Sequence, residues 1–267
     1  MPAESSTPQK ASSDYQASNQ RYWTQRAKSY SMQHLGELGG TQHKAWAAEL
    51  DRMLQQHFDK KPRNHVQVLD IGCGPGFFSI VLAELGYNVT AIDYTESMLE
   101  QAKENAAKAS CKVNFQRMDA ENLEFTDGSF DAIVSRNLTW NLPHPCVAYN
   151  EWARVLKTGG ILLNYDANWY GYLYHDNLRE GYDADRANTA KAGCEDRYLH
   201  TDINAMEELA EQVPLSAKYR PAWDEQLLSS LGMKVSVDLR VSDRVWSDEE
   251  LVNQASTPLF GICALKH

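Results

Sequence analysis

A β-branched run that stops at three closely spaced glycines constrains this chain more than any other feature. Val66-Gln67-Val68-Leu69-Asp70 reads as a strand. Ile71 leads from it into Gly72-Cys73-Gly74-Pro75-Gly76, and residues 77–85 then read as a helix ended by Gly86. Glycine after an apolar strand lets a ligand approach the main chain closely. Strand, glycine turn and helix together open a βαβ unit.

The alternation continues for about a hundred residues. Residues 88–93 (NVTAID) predict a second strand and 96–109 a second helix. Residues 113–117 predict a third strand. Thr126-Asp127-Gly128 turns into a fourth at 130–135 (FDAIVS). A helix over 146–156 stops at Lys157-Thr158-Gly159-Gly160, and 161–165 is a fifth strand. Such a pattern predicts parallel strands with helices over both faces. From Asp166 the rhythm breaks. Residues 168 to about 220 are polar and rich in aromatics, too long for a bare connector, and predict a helical cap. It resumes with a helix at 222–231, a strand at 234–241 and a last apolar strand at 259–265 (LFGICAL). Ser247 before Asp248-Glu249-Glu250 is the N-cap of a short helix between those strands.

Upstream, residues 1–18 are rich in Ser, Gln and Ala and lack an apolar h-region, so they read as a disordered tail, not a signal peptide. Residues 19–60 predict helices, with a break at Gly36, Gly39 and Gly40 and an apolar stripe of Trp46, Leu50, Met53, Leu54 and Phe58. The main domain is then 61–267, with the cap inserted at about 168–220.

A formal net charge of -10 over 267 residues argues against a protein that clamps phosphate backbones, and so against a nucleic-acid partner. No apolar run approaches the roughly 20 residues that cross a bilayer. Neither a membrane partner nor a location outside the cytoplasm is expected. Cys73, Cys111, Cys146, Cys194 and Cys263 form no CxxC pair, so neither a disulfide framework nor a metal site is expected.

The glycines are spaced G-x-G-x-G. A dinucleotide fingerprint requires G-x-G-x-x-G, and position 77 is Phe. VLDIGCGPG resembles motif I of the class I S-adenosylmethionine-dependent methyltransferases, and the rest of that family's pattern follows in order. Asp93 ends the second strand, where the family uses an acid to accept from both ribose hydroxyls. Tyr94 and Met98 fall where relatives pack against adenine. Asp119-Ala120 falls where they bind its amino group. Residues 129–134 and 154–160 are similar to the motifs of strand four and of the turn before strand five, with Thr158 where proline is usual. The likeness covers residues 66–165 and is nearest to the ubiquinone and menaquinone methyltransferase branch.

That resemblance implies a Rossmann-like α/β fold: a doubly wound seven-stranded sheet, mostly parallel with an antiparallel last strand, plus the helical cap after strand five. It implies S-adenosylmethionine as cofactor, S-adenosylhomocysteine as product and a small-molecule methyl acceptor attacked by in-line displacement. The implied cofactor residues are Asp70, Gly72, Cys73, Gly74, Gly76, Asp93, Tyr94, Met98, Asp119, Ala120 and Arg136. Tyr30 and Arg26, on a segment similar to the helix that closes over the cofactor in relatives, complete that set, with Arg26 facing the methionine carboxylate. Ligands in open α/β sheets bind beyond the strands' carboxyl ends. There Asn137, Trp140, Trp169, Tyr170 and Tyr174 are candidates to wall the acceptor, and His144 and His175 are candidate bases. Two other readings stay open: a cofactor-binding regulator without methyl transfer, and an NAD-dependent oxidoreductase.

Overall fold

The computed structural model describes residues 8–196 and 201–267. Seven strands form one sheet in the order β3-β2-β1-β4-β5-β7-β6. They are β1 (Gln67–Ile71), β2 (Asn88–Asp93), β3 (Asn114–Arg117), β4 (Phe130–Arg136), β5 (Leu156–Asp166), β6 (Met233–Asp238) and β7 (Phe260–Lys266). β1 to β5 pair in parallel, and β7 runs antiparallel to both β5 and β6. This is the expected doubly wound sheet with its reversed last strand.

Ten helices accompany it among the described residues: α1 (Pro8–Gly39), α2 (Thr41–His57), α3 (Phe77–Glu84), α4 (Glu96–Lys108), α5 (Pro145–Val155), α6 (Asp176–Ala192), α7 (Ile203–Ala210), α8 (Ala222–Ser230), α9 (Ser242–Val245) and α10 (Asp248–Asn253). Alternate side chains of each central strand feed opposite cores, because successive Cβ atoms point to opposite faces. Leu69, Ile71, Ile133 and Leu162 pack with Tyr149, Trp152 and Leu228 from α5 and α8. Val68, Val134, Leu163 and Tyr165 pack with Trp46, Leu50, Phe78 and Leu82 from α2 and α3. The strands therefore read as unbroken apolar runs. Ser247 caps α10 in a full capping box with Glu250.

The N-terminus departs from expectation. Residues 8–18, read as part of a disordered tail, are the first turns of α1; residues 1–7 lie outside the described residues. Composition misled here because the helix is held by few but well-placed contacts. Tyr15 and Tyr22, one heptad apart, are buried against Met206, Leu209 and Val213. α1 also runs through Gly36, and the chain breaks only at Gly39 and Gly40, where α2 begins. Between β5 and α8 lie α6 and α7, on the segment expected to be helical; within it, residues 197–200 lie outside the described residues.

Candidate active site

The carboxyl ends of β1, β2 and β4 open into one cleft, roofed by α1, with about 1130 Å³ of non-atom space including its open mouth. Its floor is the glycine loop. Gly72 and Cys73 both donate from N–H to the Ile92 carbonyl, each at 2.9 Å, which turns the chain toward β2. Gly72 has φ +69°, and a Cβ there would meet Leu138 at 2.7 Å, so the position requires glycine. Gly76, expected to contact a ligand, does not line the cleft. It caps α3 with φ +91°, and a Cβ would stand 3.2 Å from that of Ala102 in α4. Its role is to let two helices meet.

Asp93 ends β2 with its carboxylate in the cleft. Oδ2 accepts from Gly74 N–H at 2.9 Å and Oδ1 from Thr95 N–H at 2.8 Å. An ionised carboxylate offers about four lone-pair sites; with the Thr95 side chain as a third donor, capacity for a ligand remains. Burial pushes its pKa up, against the two backbone donors. Asp70 accepts from Ser79 Oγ at 2.5 Å. Burial raises its pKa to about 7, with Ser79 opposing and Asp93 adding. The Cys73 thiol is pushed well up by burial and then by Asp93 and Asp70, so it stays protonated. Tyr94, Met98, Asp119 and Ala120 line the adjoining wall. Trp152 Nε1 of α5 donates to the Ala120 carbonyl at 2.9 Å and fixes that turn.

Arg136 and Asn137, just past β4, also line the cleft. The Arg136 guanidinium lies against the rings of Trp46, Phe77 and Phe78, and its Nη1 meets Glu37 Oε2 at 2.7 Å. Asn137 is held at φ +55°, a conformation few non-glycine residues adopt, which turns the chain back over the loop. Its side chain is hydrogen-bonded to the Tyr30 phenol, while Oδ1 is buried without a partner.

Several expected residues lie elsewhere. Arg26 donates to Ser29 Oγ at 2.8 Å and does not line the cleft. His144 sits at the exposed rim, where Nδ1 meets Glu121 Oε2 at 2.8 Å. His175 stacks on Tyr219 at 4.2 Å. Neither histidine lines the cleft itself, though the Glu121 that His144 meets does. Trp140, Trp169, Tyr170 and Tyr174 are also absent from its walls. Trp140 packs on Tyr170 at 4.8 Å, Trp169 on Trp246 at 6.4 Å, and Tyr174 donates to the Glu211 carbonyl. These aromatics pack around the turns after β4 and β5.

α1, expected to meet the ligand through Tyr30 and Arg26, contributes other residues instead of Arg26. Gln16, Gln20, Trp23, Tyr30 and His34 line the cleft, and Ala27 is buried between them. Steps of four, three, four, three and four residues put this stripe on one helical face. The spacing was present in the sequence, but its side chains are too polar to register as an apolar face.

The buried, unpartnered atoms of His34 and Asn137, the open lone pairs on Asp93 and the close-approach glycines fit a polar ligand of nucleoside size. Fold and glycine loop resemble those of the class I S-adenosylmethionine-dependent methyltransferases. Residues 69–164 match the family described as methyltransferase domain. A ubiquinone biosynthesis O-methyltransferase of Coxiella burnetii is 36% identical over 109 residues, 40% of this chain and 47% of that one. A demethylmenaquinone methyltransferase of Leptospira interrogans is 35% identical over 129 residues, 46% and 50% of the two chains. The chain thus spans about half the length of these relatives. Among solved structures, the plantazolicin methyltransferase BpumL, in complex with a desmethyl substrate analogue and S-adenosylhomocysteine, superposes over 96% of this chain and all of its own (100%), with TM-score 0.60 and 16% identity. A methyltransferase-like protein of Methanococcus maripaludis covers 91% and 93%, with TM-score 0.55 and 21% identity.

Proposed function

We propose that the protein binds S-adenosylmethionine in this cleft and transfers its methyl group to a small-molecule acceptor. The observation that carries the reading is the charge and hydrogen-bonding pattern around the glycine loop. Asp70, Asp93, Asp119 and Glu121 line the cleft against Arg136, whose charge Glu37 already offsets. An acid-rich, partly dry cleft favours a cationic ligand such as a sulfonium and disfavours the pyrophosphate of NAD. In this reading Asp93 receives the ribose hydroxyls, Gly72 to Gly74 pass the methionine arm, and Tyr94, Met98, Asp119 and Ala120 hold adenine. The cofactor supplies an activated methyl group whose leaving thioether needs no acid. The chain's part is to align the acceptor and exclude water, and α1 serves as the cover.

The same reading makes the partner a small molecule and not a nucleic acid. The helices between residues 168 and 220 complete the enclosure as an inserted cap. The five unpaired thiols fit a reducing, cytoplasmic setting. Among the described residues no helix is long and apolar enough to cross a membrane.

Titration calorimetry with S-adenosylmethionine and with NAD tests the cofactor. We expect micromolar binding of the first and none of the second; the reverse sinks the proposal. Incubation with labelled S-adenosylmethionine and fractionated metabolites tests transfer. Acceptor-dependent release of S-adenosylhomocysteine is expected, and its absence from every fraction would favour a protein that only binds the cofactor. Asp93→Asn removes the charge and, with one acceptor oxygen in place of two, keeps only one of the contacts to Gly74 and Thr95 N–H. It is expected to weaken cofactor binding by about 1–3 kcal/mol, read in the same calorimeter.

A further inference from the structure

We propose that the His34 imidazole receives the α-carboxylate of S-adenosylmethionine and takes up a proton from solvent as it does so. The inference rests on the cofactor reading above and goes beyond it to one residue and one linked proton.

His34 lies on the cleft face of α1, directly over the glycine loop. A Cβ built on Gly74 would stand 4.0 Å from His34 Cε1 and 3.6 Å from Tyr30 Cε1. The ring is wedged between Tyr30 at 4.4 Å and Phe77 at 5.7 Å. It is only 6% exposed, and its Nδ1 is buried without a partner. A buried ring nitrogen without a hydrogen bond is costly to keep, and such orphans mark positions where a ligand completes the site.

Charge narrows the ligand group to a carboxylate. Arg136 and His34 are the only basic side chains among the residues that line the cleft. Arg136 of β4 is already bound to Glu37, from the same helix as His34. Arg26, the residue expected to meet the carboxylate, points to Ser29 outside the cleft. Asp70 from β1 and Asp93 from β2 face the same space. A carboxylate entering the methionine end therefore meets acids, a neutralised arginine and one histidine with no anionic partner of its own.

In the ligand-free protein that histidine is neutral. Burial lowers its pKa to about 4; Glu37 opposes this and Arg136 reinforces it. A carboxylate placed beside the ring favours the charged form and raises the pKa. One proton then moves from solvent to the free ring nitrogen, and the imidazolium offsets the carboxylate. By linkage, affinity rises as pH falls through the pKa of the bound state and levels off below that of the free state.

The test compares S-adenosylmethionine with its decarboxylated analogue, which keeps the adenosine, the sulfonium and the amine. Titration of Asp70 or Asp93 acts on both ligands alike, so their difference isolates the carboxylate. Binding is measured calorimetrically at about pH 6 and about pH 8, in buffers of different ionisation enthalpy, for the wild type and His34→Gln. We expect the wild type's preference for S-adenosylmethionine to fall about tenfold across that range, with net proton uptake on binding. In His34→Gln the excess proton uptake with S-adenosylmethionine over the analogue and the pH-dependent part of the preference are both expected to vanish. A wild-type preference that is the same at both pH values overturns the proposal, as does a variant that keeps the pH dependence. The wild-type comparison stands alone should the variant fail to fold. Binding of neither ligand would remove the cofactor reading itself, whereas equal binding of both would leave that reading intact and remove only the role of His34.

Discussion

Asp70 shows how far burial at the end of β1 changes a side chain. Its carboxyl is 2% exposed, and its pKa is raised to about 7. In the unfolded chain it titrates near 4, as Asp ordinarily does. Below about pH 4 the group is protonated in both states and costs nothing. Between there and about pH 7 the unfolded chain loses the proton while the folded protein keeps it. The folded state then binds more protons, so this group's contribution to stability falls as pH rises and levels off above the folded pKa. Asp70→Asn keeps the acceptor for Ser79 and removes the titration. We expect the variant to gain on the wild type from near zero at about pH 4 to as much as about 4 kcal/mol at about pH 8, read by urea unfolding without ligand. A gap that does not change with pH would contradict the assignment. Asp70 and Asp93 were legible in the sequence because a strand end beside glycine fixes where they point. His34 was not, since its part depends on Arg136 being tied to Glu37 across 99 positions of chain. Of the histidines that were singled out, His144 sits at the rim against Glu121 and His175 stacks on Tyr219.

At the scale of elements, α1 and the α3–α4 contact carry the clearest consequences. α1 is anchored at its first turns by Tyr15, whose hydroxyl meets the Asn141 carbonyl at 2.7 Å and its Oδ1 at 2.6 Å. Further along, Asn105 of α4 donates to Ser31 Oγ at 2.9 Å and to the Pro75 carbonyl at 3.1 Å, tying helix, roof and glycine loop together. Tyr15→Phe removes only the first anchor. Amide exchange around residues 15–22 is expected to speed up about tenfold, the equivalent of one buried hydrogen bond, with global unfolding little changed. An unaltered exchange rate there would mean that the early turns are held by something else. Gly76→Ala acts on the second contact. Its positive φ and the neighbouring Ala102 predict a loss of about 1–3 kcal/mol in urea unfolding, though the residue does not line the cleft. The boundaries of α2 to α5 and β1 to β4 were readable to within a few residues because their apolar periods and glycine stops agree; β5 instead starts at Leu156, five residues early, and runs through the glycines read as a stop. The start of α1 was hidden, because two tyrosines in a Ser- and Gln-rich stretch do not make a period.

The whole molecule is held together at one end by polar groups that no periodicity reveals. Arg220, before α8, donates from Nη1 to Asp166 Oδ2 at 2.7 Å, from Nε to Asp224 Oδ2 at 2.8 Å and from Nη2 to Thr139 Oγ1 at 2.6 Å. Tyr149 of α5 donates to Asp224 Oδ1 at 2.7 Å, and Asn164 of β5 donates to that tyrosine at 2.8 Å. The network joins the end of β5, the turn after β4, α5 and α8 at side-chain exposures of 0–1% for the charged members. The alternation of strands and helices made the parallel strands legible, including the return to it after residue 221, while the reversed last strand followed only from the resemblance. Asp166 and Arg220 mark the two ends of the stretch where that alternation fails, and in the sequence they read as ordinary loop charges. Their energetics follow from desolvation: two carboxylates share one guanidinium, so removing the cation leaves buried negative charge without compensation. Arg220→Met preserves length and apolar stem, yet it is expected to cost about 3–5 kcal/mol. Arg220→Lys keeps the charge but cannot supply the planar fork to Asp224 while reaching Asp166, so an intermediate loss is expected. Urea unfolding of both variants, followed by tryptophan fluorescence, checks the order. If Arg220→Met is as stable as the wild type, the ionic network does not hold the segment from residue 166 to residue 221 on the sheet, and apolar packing alone must do so.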